Sequence, residues 1–210
     1  TSLIFLLLSL TVSSQTYKYI GIEEGLSNQK IYKIQKDARG YMWFLTHVGI
    51  DQYNGKEIKH YKLREGNREL DPLLNINWTF LDKTGTLLVT GKQGRIFRYD
   101  SGHDRFVQIY NMYNYWNKDY HAFVRYSYID QEDNVWLCGK SAIHLFNIES
   151  GQKQQISNRL GNITCIEQIN SEHFFIGTDK RIYLAKLENG NLKELSCGKL
   201  GMMDMHVHEL

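Results

Sequence analysis

The chain has 210 residues, 42% of them apolar and 23% charged, a balance that excludes disorder as its main state. Twenty-five Lys and Arg against 23 Asp and Glu leave a net charge of +2 with no basic run. That excludes binding to a phosphate backbone by charge, so no nucleic-acid partner is expected. A single proline, Pro72, and 14 tyrosines tilt the composition towards strands separated by glycine turns. Cys138, Cys165 and Cys197 are spaced by 27 and 32 residues, which fits no metal knuckle and leaves one thiol over in any pairing. They read as buried thiols packing as small hydrophobes.

In chain order, Leu3 to Val12 comes first, ten residues without charge. It is too short to span a membrane and has the length of a signal-peptide core. Val12 and Ser14 put small residues where a signal peptidase reads, so residues 1–14 are expected to be a signal peptide cleaved before Gln15. No cysteine follows to take a lipid anchor. The chain starts at Thr1 without a basic leader, and the natural start is expected to lie upstream. Export to the periplasm is the expectation.

An internal repeat follows. Ile31–Tyr53 aligns without a gap on Val124–Phe146, placing Asp37 on Asp130, Trp43 on Trp136 and Ile50 on Ile143. Ile76–Tyr99 repeats the steps with Asp82, Gly85 and Leu88. A fourth copy from Ile163 places Phe175 where Trp43 stands and loses the Asp and Gly of the turn. Asn54-Gly55, Ser101-Gly102, Ser150-Gly151 and Asn189-Gly190 close each copy at intervals of 47, 49 and 39 residues. Each unit therefore reads as four short antiparallel strands, a to d. An Asp-x-x-Gly turn (Asp37 to Gly40 in the first copy) joins a to b, and a two-residue turn joins c to d. The predicted fold is all-β, with propeller blades at about 25–63, 74–110, 122–157 and 161–197, and a fifth beginning at 201–210. Trp43, Leu88, Trp136 and Phe175 are expected in the core between blades. Four to five blades would normally be part of a larger ring, so the chain is expected to be about half of a seven-bladed one, aggregating or folding poorly in isolation.

Gly25–Tyr53 resembles the two-component regulator propeller repeat. Gly25-Leu26-Ser27-Asn28, Asp37, Gly40, Trp43, Thr46, Gly49 and Tyr53 fit its pattern, with Ile50 for Leu and Leu45 where Gly is usual. The resemblance implies the N-terminal periplasmic region of a hybrid two-component sensor histidine kinase that recognises oligosaccharides and controls glycan-utilisation genes. It further implies a homodimer, anchored in the inner membrane by a span outside these residues. The 210 residues contain no phosphoacceptor helix or nucleotide-binding segment, and are expected to be non-catalytic and to need no cofactor. Secreted propeller glycosidases or lyases, and stand-alone binding propellers, are the alternative classes.

In a propeller the d-to-a connections and b-to-c turns share one face, where ligands bind. Three connections are expected there: Lys62 to Leu74 with Arg68, Asn111 to His121, and the short Ser157 to Asn162. The second interleaves Tyr113, Tyr115, Trp116 and Tyr120 with amides and charges, the mixture that stacks on a sugar ring and bonds its hydroxyls. The b-to-c turns add His47, Lys140 and Asp179 as candidate contacts. Asp37, Asp82 and Asp130 lie in separate blades and do not form the carboxylate pair of a glycosidase, and their spacing to Gly and Trp differs from that of a sialidase Asp-box. His206 and His208 are two potential metal ligands without a third nearby, so no metal is expected.

Overall fold

The structure is a computed structural model describing residues 17–115, 123–188 and 190–198. The first sheet holds β1 (Ile31–Lys36), β2 (Met42–Thr46), β3 (Ile50–Tyr53) and β4 (Ile58–Tyr61). A small hairpin, β5 (Arg64–Glu65) and β6 (Arg68–Glu69), and a one-turn helix, α1 (Pro72–Asn75), lead to the second sheet. That sheet is β7 (Trp78–Leu81), β8 (Leu87–Thr90), β9 (Arg95–Asp100) and β10 (Arg105–Asn111). The third is β11 (Tyr126–Ile129), β12 (Asn134–Cys138), β13 (Ala142–Asn147) and β14 (Lys153–Ser157). The fourth is β15 (Ile163–Gln168), β16 (His173–Thr178), β17 (Ile182–Glu188) and β18 (Asn191–Gly198). Each is an antiparallel meander in sequence order. The first strands contact one another in succession, β1 with β7, β7 with β11 and β11 with β15, so the sheets radiate as four blades along an arc. The signal peptide, the start of a fifth blade and His206 and His208 lie outside the described residues.

The second strand of blades one to three is apolar almost throughout because both its faces are covered. Between blades one and two, Trp43 and Leu45 meet Leu87, Val89, Phe97 and Tyr99. Between two and three, Leu88 and Ile96 meet Val135, Leu137 and Phe146. Between three and four, Trp136 and Leu145 meet Ile166, Phe174 and Ile176. Trp43 stands edge-on to Tyr99 at 4.8 Å between centroids, and Trp136 packs on Phe174 at the same distance. Each such ring is worth about 3–5 kcal/mol against Ala.

Phe175 corrects one expectation. It pairs with Glu167 as Trp43 pairs with Gln35 and Trp136 with Tyr128, so its register is that of the repeat. Yet it is 45% exposed, while Phe174 is fully buried. The Trp position points forward to the next blade, and among the described residues none follows blade four.

The repeated Asp has a double task. In blade one, Asp37 Oδ1 accepts the N–H groups of Arg39 and Tyr41 at 2.9 and 3.0 Å, shaping the a-to-b turn, while Oδ2 accepts the Trp43 indole N–H at 2.9 Å. Asp130 does the same for Glu132, Asn134 and the Trp136 indole, the last at 2.9 Å. In blade two Leu88 offers no donor. The cross-strand partner Arg98 fills the gap, giving Nε to Asp82 Oδ2 at 2.8 Å. In blade four Phe175 has no N–H, Ile169 takes the Asp position, and the Asn170 side chain accepts the turn N–H groups of Glu172 and His173. Gly40 and Gly85 turn the chain with φ of +86° and +72°. A Cβ on Gly85 would also stand 2.3 Å from that of Ala38 in blade one, so this turn has room for glycine alone.

Those turns are stapled in succession. The Ala38 N–H bonds Gly85 O at 3.2 Å, the Lys83 N–H bonds the Asp133 carboxylate at 3.0 Å, and the Gln131 N–H bonds the Gln168 side chain at 2.6 Å. Blades one and two are further locked by Asp104, in the c-to-d turn of blade two. Its Oδ1 accepts Tyr61 and Tyr99 hydroxyls, both at 2.6 Å, and its Oδ2 pairs with Lys59 at 3.0 Å. The Gly-Leu-Ser-Asn opening is structural as well: Ser27 gives its N–H and its hydroxyl to the buried Asp51 at 2.8 Å each, and His60 completes that carboxylate's shell.

Two predictions follow from these contacts. Trp43→Phe keeps the ring and removes the donor, leaving a buried carboxylate oxygen short of a partner, and should lower unfolding free energy in urea by about 1–3 kcal/mol. The hydroxyls of Tyr61 and Tyr99 and the Lys59 ammonium hold the Asp104 carboxyl down at about 2. Its stabilisation is therefore full above about pH 4 and is lost as pH falls towards about 2. Asp104→Asn should remove that acid-sensitive component, measured as the urea midpoint against pH.

Candidate ligand-binding face

Backbone bonds define one face of the arc. The N–H groups of His47, Gln93 and Asp179 bond the carbonyls of Lys30, Leu74 and Asn162, and the Val124 N–H bonds Lys92 O, at 2.9 to 3.2 Å. Each joins a b-to-c turn to chain entering a first strand. This upper face carries the long connections; the stapled turns lie opposite.

The first connection is anchored at both ends. Leu63 and Leu70 are buried and joined by the Leu70 N–H to Leu63 O bond at 2.9 Å, with β5 and β6 between them. Asp71 caps α1, accepting the Leu73 N–H at 2.9 Å, and Pro72 sits in its first turn, where its missing N–H is no loss. Gly91 lets the blade-two turn approach within 2.3 Å of the Asn75 backbone, measured from the Cβ it lacks. Beneath this connection lies Arg95, only 8% exposed. Its Nη1 donates to the side chains of Gln93 and Asn75, and its Nη2 stands 3.5 Å from Glu65. Arg68, a candidate from the sequence, is exposed and takes the same Glu65 at 2.6 Å.

The second connection begins with Asn111 accepting the Tyr113 N–H at 3.1 Å. Tyr113 packs against the core between blades two and three. Tyr115 is 53% exposed, but its ring is already engaged. It lies parallel to Tyr110 at 5.6 Å, and the Lys153 ammonium sits 4.3 Å from its centroid. A sugar stacking on the Lys153 side would have to displace that ammonium. Trp116 and Tyr120 lie outside the described residues.

The remaining candidates stand in separate blades. His47 Nδ1 bonds the Tyr32 hydroxyl at 2.6 Å, Asp179 accepts from Asn162 at 2.9 Å, and Lys140 projects from an exposed turn. No bond links any two of Tyr113, Tyr115, His47, Arg68, Lys140 and Asp179. Sequence reasoning missed Arg95 and Tyr32. The signal for Arg95 was slight: an Arg immediately before the third-strand Ile, where blades one and three carry Gly49 and Ala142 but blade four also carries Arg181.

Two further titratable groups are buried in the blades, Cys138 and His144. Cys138 is buried, which pushes its thiol well up, while Cys165 is half-buried; the Cys197 side chain lies outside the description. Burial pushes the His144 imidazole down to about 4, so it is neutral at physiological pH.

The chain thus carries four-stranded blades of the propeller type with their elaboration on one face. Residues 25–47 match the family described as Two component regulator propeller. Among solved structures it is similar to the extracellular domain assigned to the hybrid two component system BT3049 from B. thetaiotaomicron, at 18% identity and a TM-score of 0.64. That match covers 85% of this chain and 26% of the other, so the chain spans about a quarter of that domain's length. PorZ, a surface component of the type-IX secretion system of Porphyromonas gingivalis, is similar at 9% identity and a TM-score of 0.53, over 80% of this chain and 21% of the other. No curated protein matches. Among the described residues no helix is long and apolar enough to cross a membrane.

Proposed function

We propose that this chain is part of the exported, periplasmic, ligand-sensing propeller of a hybrid two-component sensor histidine kinase, non-catalytic in itself, which recognises an oligosaccharide and thereby controls glycan-utilisation genes. The observation that carries the reading is the unequal construction of the two faces in a chain with a match to the regulator repeat. The lower turns are short and stapled blade to blade, whereas the upper face holds a charged hairpin, a capped helix and the tyrosine-rich connection. A surface built for packing alone has no use for that asymmetry, and recognition residues gather on loops held by a rigid scaffold. Signalling is then a population shift: a ligand that binds one arrangement of a receptor dimer better than the other biases the attached kinase.

The test is calorimetric titration of the complete protein with a panel of neutral and acidic oligosaccharides, followed by kinase autophosphorylation with and without the one that binds. Binding by one class with a matching change in phosphorylation is the expected result. Exchanging Tyr115 and Trp116 together for Ala should weaken that affinity about tenfold, or ~1.4 kcal/mol. Unchanged affinity would remove the second connection from the site, and the absence of binding to every oligosaccharide would overturn the reading.

A further inference from the structure

Arg95 is a cation taken out of water, and a buried cation needs a partner of good geometry. Its guanidinium is only half committed. Nη1 donates to Asn75 Oδ1 at 3.3 Å and to Gln93 Oε1. The opposite edge, Nε with Nη2, is the pair of donors that grips a carboxylate in a two-pronged bond, with each N–H to oxygen distance near 2.8 Å. Here Nε is buried and has no hydrogen-bond partner, and Nη2 reaches only Glu65 Oε2 at 3.5 Å. The same oxygen is held more closely, at 2.6 Å, by the exposed Arg68. Glu65 therefore stands near the fork without filling it.

Beside that fork lies a short hairpin. Glu65 and Arg68 sit on the β5–β6 hairpin, whose tip, Gly66, has φ of +60°. The hairpin is anchored by buried Leu63 and Leu70, bonded to each other at its base. Residues 64–69 can thus lift while the core contacts of those leucines persist. Of the remaining charges on the hairpin, Lys62 pairs with Glu69 at 2.8 Å, while Arg64 is exposed on β5.

We infer that Arg95 is an anion-recognition residue of the upper face and that the β5–β6 hairpin is a lid on which Glu65 holds the place of a ligand carboxylate. The ligand class is a uronate-bearing oligosaccharide, whose carboxylate takes the Nε and Nη2 edge as Glu65 withdraws with Arg68. This rests on the oligosaccharide-sensing reading and narrows it.

The test follows the Arg side-chain Nε–H resonances of the complete protein by NMR during titration with sodium glucuronate, and separately with glucose and glucose 6-sulfate. The Arg95 signal, assigned by its loss in Arg95→Lys, should move with glucuronate and stay still with glucose. Glu65→Gln, a change at a half-buried position outside the core, should tighten glucuronate binding about three- to tenfold, and Arg95→Lys, which keeps the charge and loses the fork, should weaken it at least about tenfold. Should Arg95→Lys not fold, the Glu65→Gln titration alone decides. An unmoved Arg95 signal, or equal affinity in Glu65→Gln, overturns the inference. A response to glucose 6-sulfate stronger than to glucuronate overturns the choice of carboxylate. If a neutral oligosaccharide binds and both variants bind it as the parent does, the lid and fork fail while the sensing reading stands.

Discussion

A buried indole N–H aimed at a buried carboxylate organises this molecule. In blades one and three one Asp oxygen shapes the a-to-b turn and the other receives the Trp six residues on, so a single side chain ties the direction of the chain to the orientation of the ring that fills the gap to the next blade. Neither half stands without the other: an uncapped turn would leave backbone donors short of partners, and an indole without its acceptor would bury a bare N–H. Blade two, having lost the ring, retains the carboxylate by supplying Arg98, and blade four, having lost the donor, dispenses with the Asp. The substitutions travel together because the constraint is a matched donor and acceptor, not a particular residue.

This constraint explains what could be read in advance. Asp37, Trp43, Asp130 and Trp136 are separated by turn-length steps, and such local spacing is visible in one dimension, as is the glycine-bearing closing turn, which runs to four residues in blades one and two and five in blade three rather than the two expected. The four-stranded pattern of the described blades was therefore legible. Phe175 shows where that stops. Its register is that of the repeat, but burial belongs to the neighbouring sheet and not to the residue, so an equivalent position is half-exposed.

The candidate site was harder to read for the same reason. An aromatic run suggested open stacking platforms, yet Tyr115 is engaged by Tyr110 from its own blade and by Lys153 from the next. Arg95 gave only the faint signal of an Arg where Gly49 and Ala142 stand in two of the other copies. Its burial comes from a connection some thirty residues earlier, and its neighbours Asn75 and Glu65 are brought there by a hairpin and helix that no periodicity announces. Long-range cover of a polar group is a property of the assembled loops.

The staples across the lower turns have a mechanical meaning. Ala38 with Gly85, Lys83 with Asp133 and Gln131 with Gln168 bind each pair of adjacent blades along one margin, as the spine binds the leaves of a book. Blades two and three are also joined at the opposite edge, where the Val124 N–H bonds Lys92 O at 2.9 Å, so a fanning about that spine has more room between the other pairs. A molecule wedged between upper loops works with the longest lever the blades offer, and a displacement of a side chain's width there becomes a change in the curvature of the whole arc.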